Sequence, residues 1–357
     1  GDYYYEVWDT KLSSKVKPGF VVQLCCYAEM LEKIQGVIPE NIVVALGNGS
    51  YETLTTNNYY FYYLSLKEKF LSSQVSFDAN QMPDPSDSKS HGQWSDYAQQ
   101  IFEEKNHLSL VANITRSQIK KLNQAGVYTC DELINKDKLR VPGLNADILQ
   151  TLRAQATIQK DSNGEIPPRF SVLPHEEGKK VGLAMLPPHS DLDVFFDIEG
   201  FPLDEGGLEY LWGCTYFDDN MERQFTDFWA HDSEQEKIAF NDFIQWVYAK
   251  WQNDPSMHIY HYANYEITAC RKLMSRYGIC EYEVDQLLRN EVFVDLYKVV
   301  KGGLLIGEPR YSIKNVEHLY RGKRDTEVAS GGESVVVYEK WREAFLAGED
   351  TDDWKTS

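Results

Sequence analysis

The sequence has little positive charge, no long apolar run and no cysteine spacing typical of a zinc site or a disulfide framework. Its 36 lysines and arginines stand against 55 aspartates and glutamates, so the formal net charge is −19. This excess of acid argues against a protein held to nucleic acid by an overall positive field. Its strongly apolar stretches, such as 21–30 and 42–46, fall well short of the roughly 20 residues that cross a bilayer.

The six cysteines fit reduced thiols in a reducing compartment, because none forms a paired short spacing of that kind. The first residues also lack the pattern of a signal peptide. We therefore expect a soluble, cytoplasmic protein without a membrane partner.

What the chain does have is an ordinary globular composition and an uneven distribution of charge. Its 357 residues exceed the usual domain size of ~100–200 residues, so two or three domains are expected. Residues 113–160 carry eight basic against four acidic residues, whereas residues 191–299 carry eight against 22. Proline-punctuated stretches at 80–96 and 166–188 are predicted linkers. Because the first residues are already β-rich, we expect the chain to begin inside a sheet, with an upstream segment missing.

Hydrophobic periodicity predicts the order strand, helix, hairpin, helix in the first part of the chain. A strand through Lys11 precedes a helix at 21–35, and strands at 42–46 and 51–54 pair around an Asn-Gly turn. An aromatic helix follows at about 59–77. This order predicts an α/β unit of modest size.

The later part of the chain predicts a mixed sheet flanked by helices. The predicted elements are strands at 193–199, 208–217, 223–229 and 258–261, and helices at 233–251 and 264–277. We expect Ser233 to cap the first of these helices, with Glu236 completing a capping box.

Asp9 and Lys11 stand two apart on the first predicted strand, so both side chains leave the same face. This spacing places a metal-binding carboxylate beside an ammonium that can orient water and stabilise a phosphorane-like transition state. Gln23 and Tyr27 lie four apart on the next helix and share a face. Asp-x-Lys alone is also typical of an ion pair on a solvated strand edge.

The first strand and helix, EVWDTKL and QLCCY, resemble the RecB-type branch of the PD-(D/E)xK nucleases. The resemblance implies a metal-dependent DNA nuclease in which Asp9 binds the metal, Lys11 serves the water, and Gln23 and Tyr27 line the DNA side. It also implies an upstream Asp ligand that this chain lacks. Many relatives carry an iron–sulfur cluster with cysteines flanking a tryptophan. Residues 90–98 keep only the tryptophan, so no iron–sulfur cluster is expected.

A basic stretch between the two linkers predicts helices joined by tight turns, the last before a helix at 146–155. It resembles helix-hairpin-helix modules, whose hairpin amides hold a backbone phosphate without reading bases. In that interpretation the phosphate meets the turn at Gly143, and Lys136, Lys138 and Arg140 supply the counter-charge. A small packing module that only spaces two domains explains the pattern equally well.

Asp197 and Glu199 also stand two apart on a predicted strand, and a same-face carboxylate pair can hold divalent ions for phosphoryl chemistry. Glu266 opens a helix just after a strand, where it can complete the ion site. We interpret Asp295, which follows an apolar pair, as a supporting position rather than a ligand. Each acid alone is also typical of a helix cap or a solvated charge.

Four short motifs together resemble the RNase H-like, DEDD-type exonuclease domain: DIEG at 197–200, HYANYE at 261–266, YSIK at 311–314 and GGES at 331–334. The resemblance implies that Asp197, Glu199 and Glu266 bind metal together with a last Asp in a Tyr-Asn-x-x-Asp setting. No such motif occurs after Trp341, so this site is expected to be incomplete in the chain.

The whole order of parts resembles the RecB-like nuclease family, in which they often precede a helicase. We expect an α/β protein, an interior fragment with three parts. These are a partial RecB-type PD-(D/E)xK nuclease core at 1–105, a helix-hairpin-helix-like basic module at 106–165, and a C-terminally incomplete RNase H-like exonuclease domain with a mixed sheet at 190–357.

The expected activity is Mg²⁺- or Mn²⁺-dependent hydrolysis of DNA phosphodiester bonds, at single strands or ends, within a larger nuclease or nuclease–helicase protein. Because one acid of each site is missing, little or no hydrolysis is expected from the chain alone. Two alternatives stay open. One is a catalytically silent DNA-binding or scaffolding segment, and the other is an RNA-processing exonuclease, since the RNase H-like fold serves either polymer.

Overall fold

The structure, a computed structural model, describes residues 3–11, 13, 15–47, 49–78, 80–88, 90–174, 177–204, 206–322 and 331–349, with only the backbone at 331–333 and 346. The chain divides into two compact units. The first comprises Gly1–Pro83 with Pro202–Gly206, and the second comprises Asp84–Phe201 with Gly207–Ser357. Among the described residues, no helix is both long and apolar enough to cross a membrane.

The first unit is a three-stranded sheet with two helices. Its elements are β1 (Val7–Lys11), α1 (Pro18–Gln35), β2 (Asn41–Leu46), β3 (Tyr51–Thr55) and α2 (Asn57–Val75). β1 pairs parallel with β2, and β2 pairs antiparallel with β3. The predicted order of strand, helix, hairpin and helix is confirmed, although Asn48 of the predicted turn lies outside the described residues.

The core of the first unit lies between α1 and the sheet. Its fully buried residues include Leu24, Cys25, Ala28, Ile42 and Val44. Pro18 begins α1, where its missing N–H leaves no bond unmade, and Gly36 ends the helix in the left-handed conformation. The packing of α1 on β1 lets side chains from both elements share one site.

The N-terminal part of the second unit is helical. Its elements are α3 (Ser95–Glu104), α4 (Arg116–Gln124), α5 (Cys130–Asn135), α6 (Ala146–Ser162) and a short strand β4 (Phe170–Val172). Thr115 and Thr129 form capping boxes with Gln118 and Glu132, so local sequence sets where α4 and α5 begin.

A five-stranded mixed sheet, in the order β7-β6-β5-β8-β9, forms the C-terminal part of the second unit. Its strands are β5 (Val194–Phe201), β6 (Leu208–Phe217), β7 (Arg223–Trp229), β8 (Ile259–His261) and β9 (Phe293–Asp295). β5 pairs antiparallel with β6, and β6 pairs antiparallel with β7, whereas β8 runs parallel to β5 and β9 runs parallel to β8. The predicted α/β class with a mixed sheet is confirmed.

Helices accompany this sheet along the chain. They are α7 (Ser233–Asn253), α8 (Tyr265–Tyr277), α9 (Glu281–Arg289), α10 (Leu296–Gly303), α11 (Ile313–Val316) and α12 (Gly331–Leu346). The predicted cap of α7 was wrong, because Asp232 rather than Ser233 is the N-cap. Glu236 is fully buried and accepts hydrogen bonds from the Glu209 amide and Arg276. Its carboxylate is therefore used in tertiary contacts instead of the predicted capping box.

Buried hydrogen bonds join α6 to the short strand β10 (Leu304–Ile306), which pairs antiparallel with β4. Gln155 of α6 donates to the Ile306 carbonyl at 2.8 Å and accepts from the Tyr311 hydroxyl at 2.7 Å. A Cβ on Gly307 would lie only 1.9 Å from Oγ of Ser162, so these backbones approach closely. The predicted helical module and part of the predicted exonuclease domain thus pack together within the second unit.

Candidate active site

β5 presents Asp197 and Glu199 on the side of the strand opposite its core residues. Val194, Phe196 and Ile198 alternate with the two acids and are buried. Asp197 is exposed and Glu199 is half-buried. The alternation of the strand therefore produces the same-face acid pair that the sequence predicts.

Glu266 reaches the neighbourhood of β5 through β8 and the start of α8. β8 lies parallel to β5, and α8 begins one residue before Glu266. The Glu266 side chain is buried, and its Oε2 lies 3.3 Å from Nδ1 of His261 at the end of β8. Neither this oxygen nor either ring nitrogen of His261 has a hydrogen-bond partner among the described residues.

The three predicted acids of this site influence one another. Partial loss of hydration raises the pKa of Asp197 to about 6, and the charges of Glu266 and Glu199 add to the shift. Loss of hydration also raises the pKa of Glu199, although the Ser334 hydroxyl and the Lys314 ammonium oppose that shift. Asp197 therefore lies close enough to both glutamates to be affected by their charge.

The chemistry of these residues fits a divalent cation. Mg²⁺ and Mn²⁺ prefer oxygen ligands, and crowded carboxylates are relieved when a cation neutralises them. Oε2 of Glu266, which is buried and has no hydrogen-bond partner among the described residues, is a suitable metal ligand. Within the described ranges, however, no group of three or more His, Cys, Asp or Glu side chains is arranged to hold a metal ion. Metal ligation by Asp197, Glu199 and Glu266 stays a prediction.

Two further residues of this site were not found by sequence reasoning. Oγ of Ser334, near the start of α12, lies 3.4 Å from Oε2 of Glu199 and 2.7 Å from the hydroxyl of Tyr210 on β6. The GGES motif contains Ser334 but gives it no role. Because Tyr210 and Ser334 are 124 residues apart, no local pattern signals their contact.

Gly200 allows a buried acid to approach the strand beside Glu199. A Cβ on Gly200 would lie 2.4 Å from the hydroxyl of Tyr265 and 2.7 Å from Oε2 of Glu209. Tyr265 donates a hydrogen bond to that same oxygen at 2.6 Å. A side chain at position 200 would therefore displace this bonded pair.

Asp295 has the supporting role that we expected from the sequence. Its Oδ1 caps α10 by accepting from the Tyr297 amide at 3.0 Å, and it also accepts from the Ala263 amide at 3.0 Å. Ala263 has a φ of 76°, in the left-handed region that non-glycine residues rarely adopt. Asp295 thus holds the loop that leads from β8 to Glu266.

In the first unit, the four residues of the predicted RecB-type site form one series of contacts. Nζ of Lys11 lies 2.8 Å from Oδ2 of Asp9 and donates to Oε1 of Gln23 at 2.8 Å. The Gln23 amide then donates to the Tyr27 hydroxyl at 2.7 Å. The four side chains are together, whereas their roles in metal and DNA binding stay predictions.

The predicted phosphate-binding residues of the helical module lie in different environments. Nζ of Lys136 donates to the Gly126 carbonyl at 2.9 Å and so closes the loop between α4 and α5. Lys138 and Arg140 are exposed, and Gly143 adopts a left-handed φ of 74° in an exposed turn. Phosphate binding stays a prediction, and of its three cations Lys136 already has its ammonium hydrogen-bonded within the protein.

Comparison with known protein families finds a match in the C-terminal part of the chain. Residues 194–354 match the family model RNase_H_2 of the RNase H superfamily. This range begins with β5 and contains Asp197, Glu199 and Glu266. The match supports an RNase H-like nuclease domain in this part of the chain, and RNase H-like nucleases generally use divalent metals. No curated protein and no solved structure matched the chain.

Proposed function

We propose that residues 190–357 belong to the metal-dependent, exonuclease-type domain of a larger protein that hydrolyses DNA phosphodiester bonds. One observation carries the proposal: Asp197 lies near Glu199 and Glu266 within the range that matches the RNase H superfamily. Crowded carboxylates suit phosphodiester hydrolysis because the divalent cations that neutralise them also stabilise the attacking and leaving oxygens.

The cofactor that we propose is Mg²⁺ or Mn²⁺, with Asp197, Glu199 and Glu266 as its ligands. When bound, such an ion supplies Lewis-acid chemistry and lowers the pKa of water. The chain has to keep the three carboxyl groups ionised and directed at one point. Because the pKa of Asp197 is about 6, we expect cation binding to strengthen as the pH rises through that value.

We also propose that Asp9, Lys11, Gln23 and Tyr27 belong to a second nuclease site of the RecB type. In this proposal Asp9 binds a metal ion, Lys11 orients water, and Gln23 and Tyr27 face DNA. The contacts support it because they fix the ammonium between a carboxylate and an amide oxygen, where its direction is defined.

The substrate that we propose is DNA, taken as single strands or ends. The helical module would hold its phosphates through Lys138 and Arg140 beside the turn at Gly143, without reading bases. A helicase domain in the same parent protein is the proposed partner. The basic character of residues 113–160, against the acidic character of residues 191–299, supports this division of tasks.

A catalytically silent DNA-binding or scaffolding segment is the second candidate function. It is favoured by the finding that no three-residue metal group is arranged within the described residues. The two candidates differ in cation binding, since only the nuclease requires it.

Thermal unfolding with and without millimolar Mn²⁺ tests the proposal. Mn²⁺ should raise the melting temperature of the unchanged chain, because a ligand that binds only the folded state stabilises it. Asp197→Asn should remove the shift. Asp219→Asn, which alters an exposed acid in the turn between β6 and β7, should retain it. No shift in the unchanged chain, or an equal shift in all three proteins, would favour the scaffold.

A further inference from the structure

Two hydroxyl groups from distant parts of the chain form a directed series of hydrogen bonds to Glu199. Ser334 lies between Glu199 and Tyr210, at the distances of 3.4 and 2.7 Å given above. An ionised carboxylate only accepts hydrogen bonds, so the Ser334 hydroxyl donates to Glu199. Since a serine hydroxyl has one proton, the Tyr210 hydroxyl must donate to Ser334. The direction is therefore Tyr210 to Ser334 to Glu199.

The start of this series is held rigidly. Tyr210 is only 4% exposed, and its ring stacks on Tyr338 of α12 with centroids 3.8 Å apart and planes at 11°. Tyr338 lies four residues after Ser334, on the same side of the same helix. The hydroxyl of Tyr338 also lies 3.1 Å from Nδ1 of His231. The stacked pair therefore fixes the position of Ser334 relative to β6.

The other two acids of the site are held in different ways. Oδ1 of Asp197 accepts from the Ile198 amide at 3.0 Å, and Glu266 is packed against His261. Glu199 has a longer, more flexible side chain than Asp197 and, unlike Glu266, is only half-buried. An outer hydrogen bond is a usual way to direct such a carboxylate toward a metal ion.

We propose that Ser334 is a positioning residue that directs Glu199 toward the divalent cation, and that Tyr210 orients Ser334. This inference rests on the proposed exonuclease site and adds to it two residues from outside the predicted acids. Both act through Glu199 rather than by touching the cation or the substrate.

Two variants of the same size separate the hydroxyl from the rest of the side chain. Ser334→Thr keeps the hydroxyl and Ser334→Val replaces it with a methyl group, while both add the same β-branch to α12. We would measure Mn²⁺ binding to the whole chain from the electron paramagnetic resonance signal of the free ion. The valine variant should bind about tenfold more weakly than the unchanged chain, and the threonine variant within about twofold of it.

A second measurement distinguishes positioning from a general effect on folding. In the Glu199→Gln background, Ser334→Val should cause no further loss of Mn²⁺ affinity, because its effect passes through the Glu199 carboxylate. Tyr210→Phe keeps the stacked ring and should weaken Mn²⁺ binding about two- to threefold, less than Ser334→Val because it acts one bond further away. If the Ser334→Val variant does not fold, the Mn²⁺ affinity of Tyr210→Phe tests the positioning role in its place.

The outcomes separate this inference from the proposed function. Equal Mn²⁺ affinity in the threonine and valine variants would overturn the positioning role and leave the cation site in place. The positioning role would also be overturned if Ser334→Val caused an equal loss of Mn²⁺ affinity in the unchanged chain and in the Glu199→Gln background. Failure of the unchanged chain to bind Mn²⁺ would overturn both proposals.

Discussion

The two candidate sites of this chain present opposite electrostatic problems. In the first unit, Asp9 faces the ammonium of Lys11, so charge is balanced within the protein. In the acidic site, Asp197 lies near Glu199 and Glu266, and its pKa rises to about 6. Both sites begin with an aspartate and a partner two residues later on a strand. At Asp197, loss of hydration is the largest cause of the raised pKa, ahead of the charges of Glu266 and Glu199, so this carboxylate needs a proton or a cation, whereas Asp9 is paired by Lys11.

The same contrast extends beyond the candidate ligands. Glu29 of α1 accepts hydrogen bonds from Lys67 and Tyr63, which lower its pKa to about 2. In the first unit, acids of this kind add to the stability of the fold. In the acidic site, the carboxylates oppose folding until they are neutralised.

The largest effect is expected at the proposed RecB-type site, where charge is balanced within the protein. In the larger nuclease that we propose, Lys11→Ala should lower one DNA-cleaving activity about 100-fold or more, because it removes the group proposed to serve the water. Cleavage of labelled DNA measures the loss. Lys15→Ala, which alters an exposed lysine between β1 and α1, is the control and should retain activity. Unchanged cleavage after Lys11→Ala would remove Lys11 from the mechanism.

Alanine substitutions at Gly200 and Gly19 compare how closely the backbone is packed in the two regions. Gly200→Ala should reduce the free energy of unfolding by about 2 kcal/mol, because the new methyl group meets Tyr265 and Glu209. Gly19→Ala in α1 meets nothing within 4 Å and should stabilise the chain by up to about 1 kcal/mol. Urea unfolding measures both. A similar change in the two variants would show that the close approach at Gly200 is not restrictive.

The pH dependence of stability should have opposite signs at Asp197 and Glu29. The raised pKa of Asp197 lowers stability above about pH 6, and this cost disappears below about pH 4, where the unfolded aspartate is also protonated. In metal-free buffer, Asp197→Asn should therefore stabilise the protein by about 1 kcal/mol at pH 7, a value limited by solvent screening, and by nothing near pH 4.

Glu29→Gln should do the reverse. The lowered pKa of Glu29 adds stability that is complete above about pH 5 and is lost as the pH falls through 2. The variant should be less stable than the unchanged chain by about 1 kcal/mol at pH 7, and the difference should shrink in acid. Urea unfolding across this pH range checks both variants. If Asp197→Asn and Glu29→Gln changed the free energy of unfolding at pH 7 in the same direction, the electrostatic contrast between the two regions would be contradicted.

The smallest effect is expected in the helical module. Lys138→Ala and Arg140→Ala should each lower the dependence of DNA affinity on the logarithm of salt concentration by about one unit, with similar loss for all sequences. Lys136 is a poorer probe because its ammonium closes a loop. Lys301→Ala, on α10, should leave the salt dependence unchanged. An unaltered slope in both module variants would identify the module as a spacer.

Local patterns in the sequence were sufficient for the order of elements in the first unit and for which residues share a face. Strand alternation put Asp197 and Glu199 together, and helical spacing put Gln23 beside Tyr27, because both rules depend only on neighbours along the chain. The contact of Ser334 with Glu199 spans 135 residues and depends on where α12 packs. No pattern of hydrophobic residues contains that information.

The cap of α7 shows a different kind of failure. Asp232 and Ser233 are both good N-cap residues, so the sequence alone could not decide between them. In the structure Oδ1 of Asp232 accepts a hydrogen bond from the Gln235 amide, while the buried Glu236 is paired with Arg276. Sequence rules are weakest where one side chain has two plausible partners.

The hydrogen bonds that tie α6 to β10 bear on how the protein can be dissected. A truncation that begins at residue 190, the predicted start of the exonuclease domain, would remove β4 from β10 and Gln155 from the Ile306 carbonyl and Tyr311. It would also uncover Ile306, which is fully buried. A shortened protein intended for crystallisation or enzymology should therefore keep the helices from α4 to α6, because cutting at the proline-punctuated stretch would leave an unsatisfied, aggregation-prone edge.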